Sequence, residues 1–149
     1  MTAKEYLQQV YHIDQKIKRL KRKCDDLRLS LYAIESPAGN MDANKVQTFK
    51  NGDAILQQIS RIDLLERDIL REMGNMIEKK QIITEQIEAL EDERYKTLLL
   101  SRYVLCWKWE TIAHDMDYNS KWIFTLHSRA LQAFSEKYHL DGVKQTNGI

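Results

Sequence analysis

Apolar side chains recur at Val10, Ile13, Ile17, Leu20, Cys24, Leu27, Leu31 and Ile34, in alternating steps of three and four. That is a heptad seam. It predicts a long helix from about Thr2 to Ile34 with a coiled-coil partner. A second seam predicts a helix from about Asp53 to Leu90. It is carried by Ile55, Ile59, Ile62, Ile69, Met73, Met76, Ile83, Ile87 and Leu90 and interrupted at Glu66 and Lys80. Gly74 lies inside it, costs about 1 kcal/mol of helix stability relative to alanine, and marks a place for a local bend. Between the seams, Pro37, Gly39, Asn40, Asn44, Asn51 and Gly52 punctuate a loop at 35–52. A loop of that length is either a plain connector or a contact segment presenting Lys45, Gln47 and Lys50.

The pattern then changes scale. Asp92 to Leu105 reads as a third helix, with Leu98, Leu99 and Tyr103 as apolar bulk. Beyond a bend at 105–108, two shorter helices follow. Ile112, Ala113 and Met116 share one face of the first. Ile123, Leu126, Ala130, Leu131 and Phe134 recur at helical spacing in the second. Asp117-Tyr118-Asn119 separates them. Asp and Asn tolerate the left-handed backbone that ends a helix sharply. Asn119 or Ser120 can cap the next helix by accepting from its free N–H groups. Helix, short turn, helix is the helix-turn-helix unit, whose second helix can enter the DNA major groove. The expected fold is therefore all-α: a long antiparallel helical hairpin, or coiled-coil stalk, at 1–91, a helix-turn-helix domain at 92–138, and a frayed tail at 139–149.

Charge sharpens the hairpin. The segment 2–33 holds eight bases against four acids, whereas 53–92 holds ten acids against five bases. Opposite charge steers the two seams together more than it stabilises them, since exposed pairs contribute at most about 1 kcal/mol each. Across the chain the formal net charge is only +1, and 92–138 carries seven bases against six acids. One such domain would bind DNA weakly, because phosphate neutralisation supplies most non-specific affinity. A second copy, host RNA polymerase, or the basic stretch Lys16 to Lys23 would have to supply the rest. No apolar run approaches the roughly 20 residues that span a bilayer, and the charged N-terminus does not read as a signal peptide. Cys24 and Cys106 are far apart in apolar rows, without the paired spacing of a zinc clip or a disulfide framework. A reducing cytoplasm is the simplest setting.

Ile112-Ala113, the apolar turn residue Tyr118, Ile123 and Arg129-Ala130 resemble the fourth region of sigma-70-family factors, which grips the upstream promoter element. Asp92-Glu93-Arg94-Tyr95, Arg102-Tyr103, Trp109-Glu110 and Leu126-His127, after an N-terminal coiled region, resemble small phage and prophage regulators of Gram-positive bacteria. These are late-gene activators of the ArpU and RinA type. This resemblance extends over nearly the whole chain, including its opening MTAKEYLQQV and Lys45-Val46-Gln47. It implies a sigma-region-4-like transcription regulator. Carried onto this sequence, Ser120, Lys121, Phe124 and Thr125 take base-proximal positions, and Arg129 a phosphate-side one. Trp122 and Phe124 depart from the pattern, standing where principal sigma factors often have charged or polar residues. That departure weakens the case for specific readout by a bidentate arginine.

Catalytic chemistry finds no footing. Nucleophile elbow, phosphate-binding glycine loop and zinc-protease motif are all absent. His12, His114, His127 and His139 are scattered. His114 and Asp115, as helix neighbours, point to different faces. No enzyme activity, cofactor or metal is expected. The DNA-binding candidates are Asn119, Ser120, Lys121, Phe124, Thr125, Ser128 and Arg129. With Ile123, Leu126, Ala130 and Phe134 turned inward, most of these and Gln132 face outward. Trp122 reads as a rim residue. Double-stranded DNA is the expected partner, with RNA polymerase and a second copy as further candidates and no membrane. Two other classes fit the same elements. One is a small terminase-like DNA-packaging subunit, and the other is a coiled-coil adaptor whose helix pair binds protein.

Overall fold

The computed structural model describes residues 1–35 and 47–140. All regular structure among the described residues is helical: α1 (Ala3–Leu7), α2 (Gln9–Glu35), α3 (Gln47–Glu88), α4 (Glu93–Leu99), α5 (Trp109–Met116) and α6 (Ser120–Tyr138). Most of the expected loop at 35–52, and the tail from 141, lie outside the described residues. So do the side chains of Lys45, Gln47 and Lys50. The helix expected from Asp53 starts earlier, at Gln47, so the end of the predicted loop is helical.

Two compact units divide the chain. One comprises 1–14 with 75–149 and the other 15–74. Both boundaries fall inside the long helices α2 and α3, which differs from a split after residue 91.

The first unit holds a continuous core. Ala3, Leu7 and Val10 from the N-terminal segment join Ile83, Ile87 and Leu90. Leu98, Leu99, Tyr103, Ile112, Ile123, Leu126, Ala130, Leu131 and Phe134 complete it. α1 is fixed by a reciprocal cap. Thr2 Oγ1 accepts from the Glu5 N–H at 3.2 Å, and the Thr2 N–H donates to Glu5 Oε2 at 2.8 Å. Gln8 then interrupts the helix for one residue while keeping right-handed backbone. Gln86 on α3 is a shared anchor: its side-chain oxygen accepts from the Tyr6 hydroxyl and its backbone carbonyl from the Tyr138 hydroxyl, both at 2.7 Å.

The helix expected to run unbroken from Asp92 to Leu105 does not. After α4 the backbone widens into a π-helical turn, Leu100–Val104, in which the Leu105 N–H reaches the Leu100 carbonyl at 3.0 Å. Five-residue hydrogen-bond steps rotate the following side chains relative to an α-helix. Tyr103 is thereby buried while Leu105 is exposed. The chain then turns through Cys106, whose backbone is left-handed (φ 58°). The expectation that Cys106 sits in an apolar helical row fails for this reason: it lies in the bend and is exposed, whereas Cys24 is buried in α2.

In the second unit, Ile17, Cys24, Ile62 and Ile69 are buried. Lys16 pairs with Glu72 at 2.9 Å, Arg28 pairs with Glu66, and the Gln58 amide donates to the Leu27 carbonyl at 3.2 Å. Ile59, expected on the seam, is instead 46% exposed, and the half-buried Gln58 takes the inward position. Glu66, which breaks the apolar seam in sequence, does so to meet Arg28. α3 is assigned as one uninterrupted helix through Gly74, with no break at the predicted bend. A Cβ added at Gly74 meets nothing within 4 Å. Gly74→Ala is therefore expected to stabilise the protein by about 1 kcal/mol. Urea denaturation checks this, and a lower midpoint would show that glycine's freedom is used there.

Candidate nucleic-acid interface

The interface is built around α6, 19 residues long. Its start is fixed by local chemistry. α5 ends at Asp117, which takes the left-handed conformation (φ 57°, ψ 44°). The Tyr118 N–H then closes on the Ala113 carbonyl at 2.9 Å, satisfying a helix-end acceptor. Asn119 caps α6, its Oδ1 accepting from the Trp122 N–H at 2.8 Å. Asn119, one of the seven candidates, thus already spends its side-chain acceptor on the cap.

One side of α6 is locked. Ile123, Leu126, Ala130, Leu131 and Phe134 are buried, with Phe134 between the rings of Tyr6 (6.0 Å) and Tyr138 (4.7 Å). The other side is open. Asn119, Ser120, Lys121, Phe124, Thr125, Ser128 and Arg129 are all exposed. Lys121, Thr125, Ser128 and Gln132 follow one another at helical spacing as a single outward row.

The row has defined chemistry. The Thr125 hydroxyl donates to the Lys121 carbonyl and the Ser128 hydroxyl to the Phe124 carbonyl, both at 3.2 Å. Each hydroxyl therefore keeps its lone pairs outward as acceptors. Arg129 lies over the Trp122 ring with its guanidinium carbon 5.2 Å from the centroid. Trp122 in turn meets the Tyr118 ring edge-on at 6.3 Å. Trp122 thus acts as a rim residue that holds Arg129, seven positions on and on the same side. Phe124 is 51% exposed but packs edge-on against Trp109 of α5 at 5.5 Å. Glu136, which accepts from Gln132 at 2.9 Å, puts negative charge at the far end of the row.

Behind the row lies a polar pair that the sequence did not announce. The Tyr103 hydroxyl and His127 Nε2 are 2.6 Å apart. Trp109 covers the imidazole edge-on at 4.6 Å, and Arg102 stacks over Trp109 at 4.4 Å while donating to the Trp107 carbonyl at 2.8 Å. Burial, then the nearby charges of Lys4 and Arg102, lower the His127 pKa to about 4. Burial raises Tyr103 to about 12. Both groups are held neutral, so the phenol donates to an unprotonated Nε2. Helical spacing alone could not show this, because His127 looks like any rim histidine until Tyr103 is rotated inward by the wide turn.

The pair sets a pH dependence. The folded pKa of His127 lies below the unfolded value of about 6.5, so on acidification the unfolded chain takes up the proton first. The stability it contributes is complete above about pH 6.5 and is lost as pH falls toward 4. About 2 kcal/mol should disappear between pH 7.5 and 5. His127→Gln, which keeps an acceptor for Tyr103 but cannot titrate there, should remove that part of the slope. Denaturation midpoints across the range check it, and an unchanged slope would contradict the assignment.

Among the described residues no cluster of His, Cys, Asp or Glu could hold a metal ion, and no helix is long and apolar enough to cross a membrane. Comparison with protein-family models, curated proteins and solved structures finds no match to the chain.

Proposed function

We propose that the chain is a sigma-region-4-like, DNA-binding transcription regulator of phage or prophage type, with α5 and α6 forming its helix-turn-helix. The observation that carries this reading is the outward row on α6. Lys121, Thr125 and Ser128, flanked by Arg129, are exposed on a helix whose opposite side is locked in the core. In this reading α6 enters the major groove with Lys121 in its first turn, where recognition helices meet bases and phosphates. Lys121 and Arg129 neutralise phosphates, while Thr125 and Ser128 offer acceptors to base edges. The resemblance to late-gene activators points the same way.

α2 and α3 form an antiparallel stalk in this proposal. The contacts Lys16 to Glu72 and Leu27 to Gln58 support it, since the partner number falls as the residue number rises. A homodimer would supply a second recognition helix. Leu56, Ile59 and Leu70, exposed on α3, are available apolar surface for it. RNA polymerase is the proposed protein partner, by analogy with the sigma pattern.

Genome-wide crosslinking in cells carrying the phage or prophage tests the regulator reading. Enrichment at a promoter is the expected outcome. Enrichment at a packaging site would replace regulator by packaging subunit, and absence of any DNA enrichment would favour the protein-binding adaptor.

A further inference from the structure

The second unit contains a charge imbalance that its own packing does not use. Its acids are largely matched. Glu72 pairs with Lys16, Glu66 and Asp25 with Arg28, Asp63 with Arg67 at 3.1 Å and Asp68 with Arg71 at 3.3 Å. On α2, by contrast, Arg19, Lys21, Arg22 and Lys23 are exposed and make no ion pair among the described residues. Of the described acids, Asp26 lies one turn beyond them on α2. Arg19, Arg22 and Lys23 are three and four apart, so they share one sector of the helix. The buried side of α2, at Ile17 and Cys24, faces elsewhere. These cations are therefore needed neither for the α2–α3 contacts nor for the core.

From this arrangement we infer that Arg19, Lys21, Arg22 and Lys23 form a second nucleic-acid contact, one that binds the phosphate backbone of duplex DNA without reading bases. The inference rests on the proposed DNA-binding function. Charge density favours a polyanion over a single carboxylate. Four cations fall within five residues, about one per 1.5–2 Å of helix axis. Duplex DNA carries one negative charge per about 1.7 Å. The patch also meets a shortfall: 92–138 carries seven bases against six acids, too little to bind tightly alone. Arginine at two of the positions suits phosphate, whose oxygens take the guanidinium fork in a bidentate pair. The patch contributes affinity and salt dependence, and α6 contributes sequence preference.

The test is fluorescence anisotropy of the full chain on random and target duplexes at several salt concentrations. Arg19→Gln, Arg22→Gln and Lys23→Gln are combined in one variant. Glutamine is a good helix former and the sites are exposed, so the fold should persist. A second variant, Arg19→Lys with Arg22→Lys, keeps the charge. The triple variant should lower the slope of log affinity against log salt by about 2 to 3, at roughly 0.9 per lost phosphate contact. The ratio of target to random affinity should not change, because phosphate contacts carry no sequence information. The lysine variant should keep the wild-type slope. A triple variant with the wild-type slope overturns the inference while leaving the α6 proposal standing, provided that Lys121 and Arg129 variants still weaken binding. Wild-type protein that binds no duplex at any salt overturns both.

Discussion

Replacing Phe134 by alanine is expected to cost about 3–5 kcal/mol of stability, the range for deleting a buried aromatic ring. Phe134 is 0% exposed and joins four parts of one unit. Its own helix presents it to a core that also holds Leu7 of α1, Ile83 and Ile87 of α3, and Leu98 and Leu99 of α4. The rings of Tyr6 and Tyr138 flank it. Those rings also hydrogen-bond to Gln86 and cannot easily collapse into the void. Because α1 is part of this core, the loss should be felt at the N-terminus. Hydrogen exchange of 3–10 should accelerate together with that of α6. Thr125→Ala, on the open side of the same helix, should change stability by no more than about 0.5 kcal/mol. Urea unfolding of both variants measures the difference. A Phe134→Ala protein within about 1 kcal/mol of wild type would mean that α1 and α6 do not share a core.

Much of this architecture was legible in the sequence, and what was not has identifiable causes. The face of α6 followed from the spacing of Ile123, Leu126, Ala130 and Phe134, because helical periodicity determines which residues point together. Asp117 and Asn119 announced the turn through their own backbone and capping chemistry. The grouping of Ala3, Leu7 and Val10 with the core around α6 was hidden. A heptad seam reports that a helix has a partner, but not where along its length the partner changes. The widened turn at Leu100–Val104 left no trace in periodicity over so few residues. Its consequences, the burial of Tyr103 beside His127 and the exposure of Leu105 and Cys106, were therefore invisible too. The inward place of Gln58 was missed because an isoleucine one residue on looked like the better seam member. The amide is accommodated there only because it finds the Leu27 carbonyl.

The largest functional effect should come from Lys121 and Arg129. Both are exposed on α6, and neither supports the core. Arg129 is held over Trp122, so its charge is presented from a fixed support rather than from a free chain. If each neutralises one phosphate, losing both removes about 1.8 from the salt slope. At 0.1 M salt that corresponds to about 60-fold weaker binding, taking the two contacts as contributing nothing at 1 M. Thr125 should behave differently. It lies between them with its hydroxyl oxygen outward, so Thr125→Ala should leave random-sequence binding unchanged. It should narrow the gap between target and random DNA by about 1 kcal/mol.

The most direct test is an anisotropy titration of wild type and of the Lys121→Ala, Arg129→Ala double variant. The target is a duplex recovered by crosslinking, the salt is varied, and folding is verified by circular dichroism. Binding weakened by about 60-fold at 0.1 M salt, with a slope shallower by about 2, is the predicted result. A folded double variant that binds target DNA as tightly as wild type would show that α6 does not read DNA.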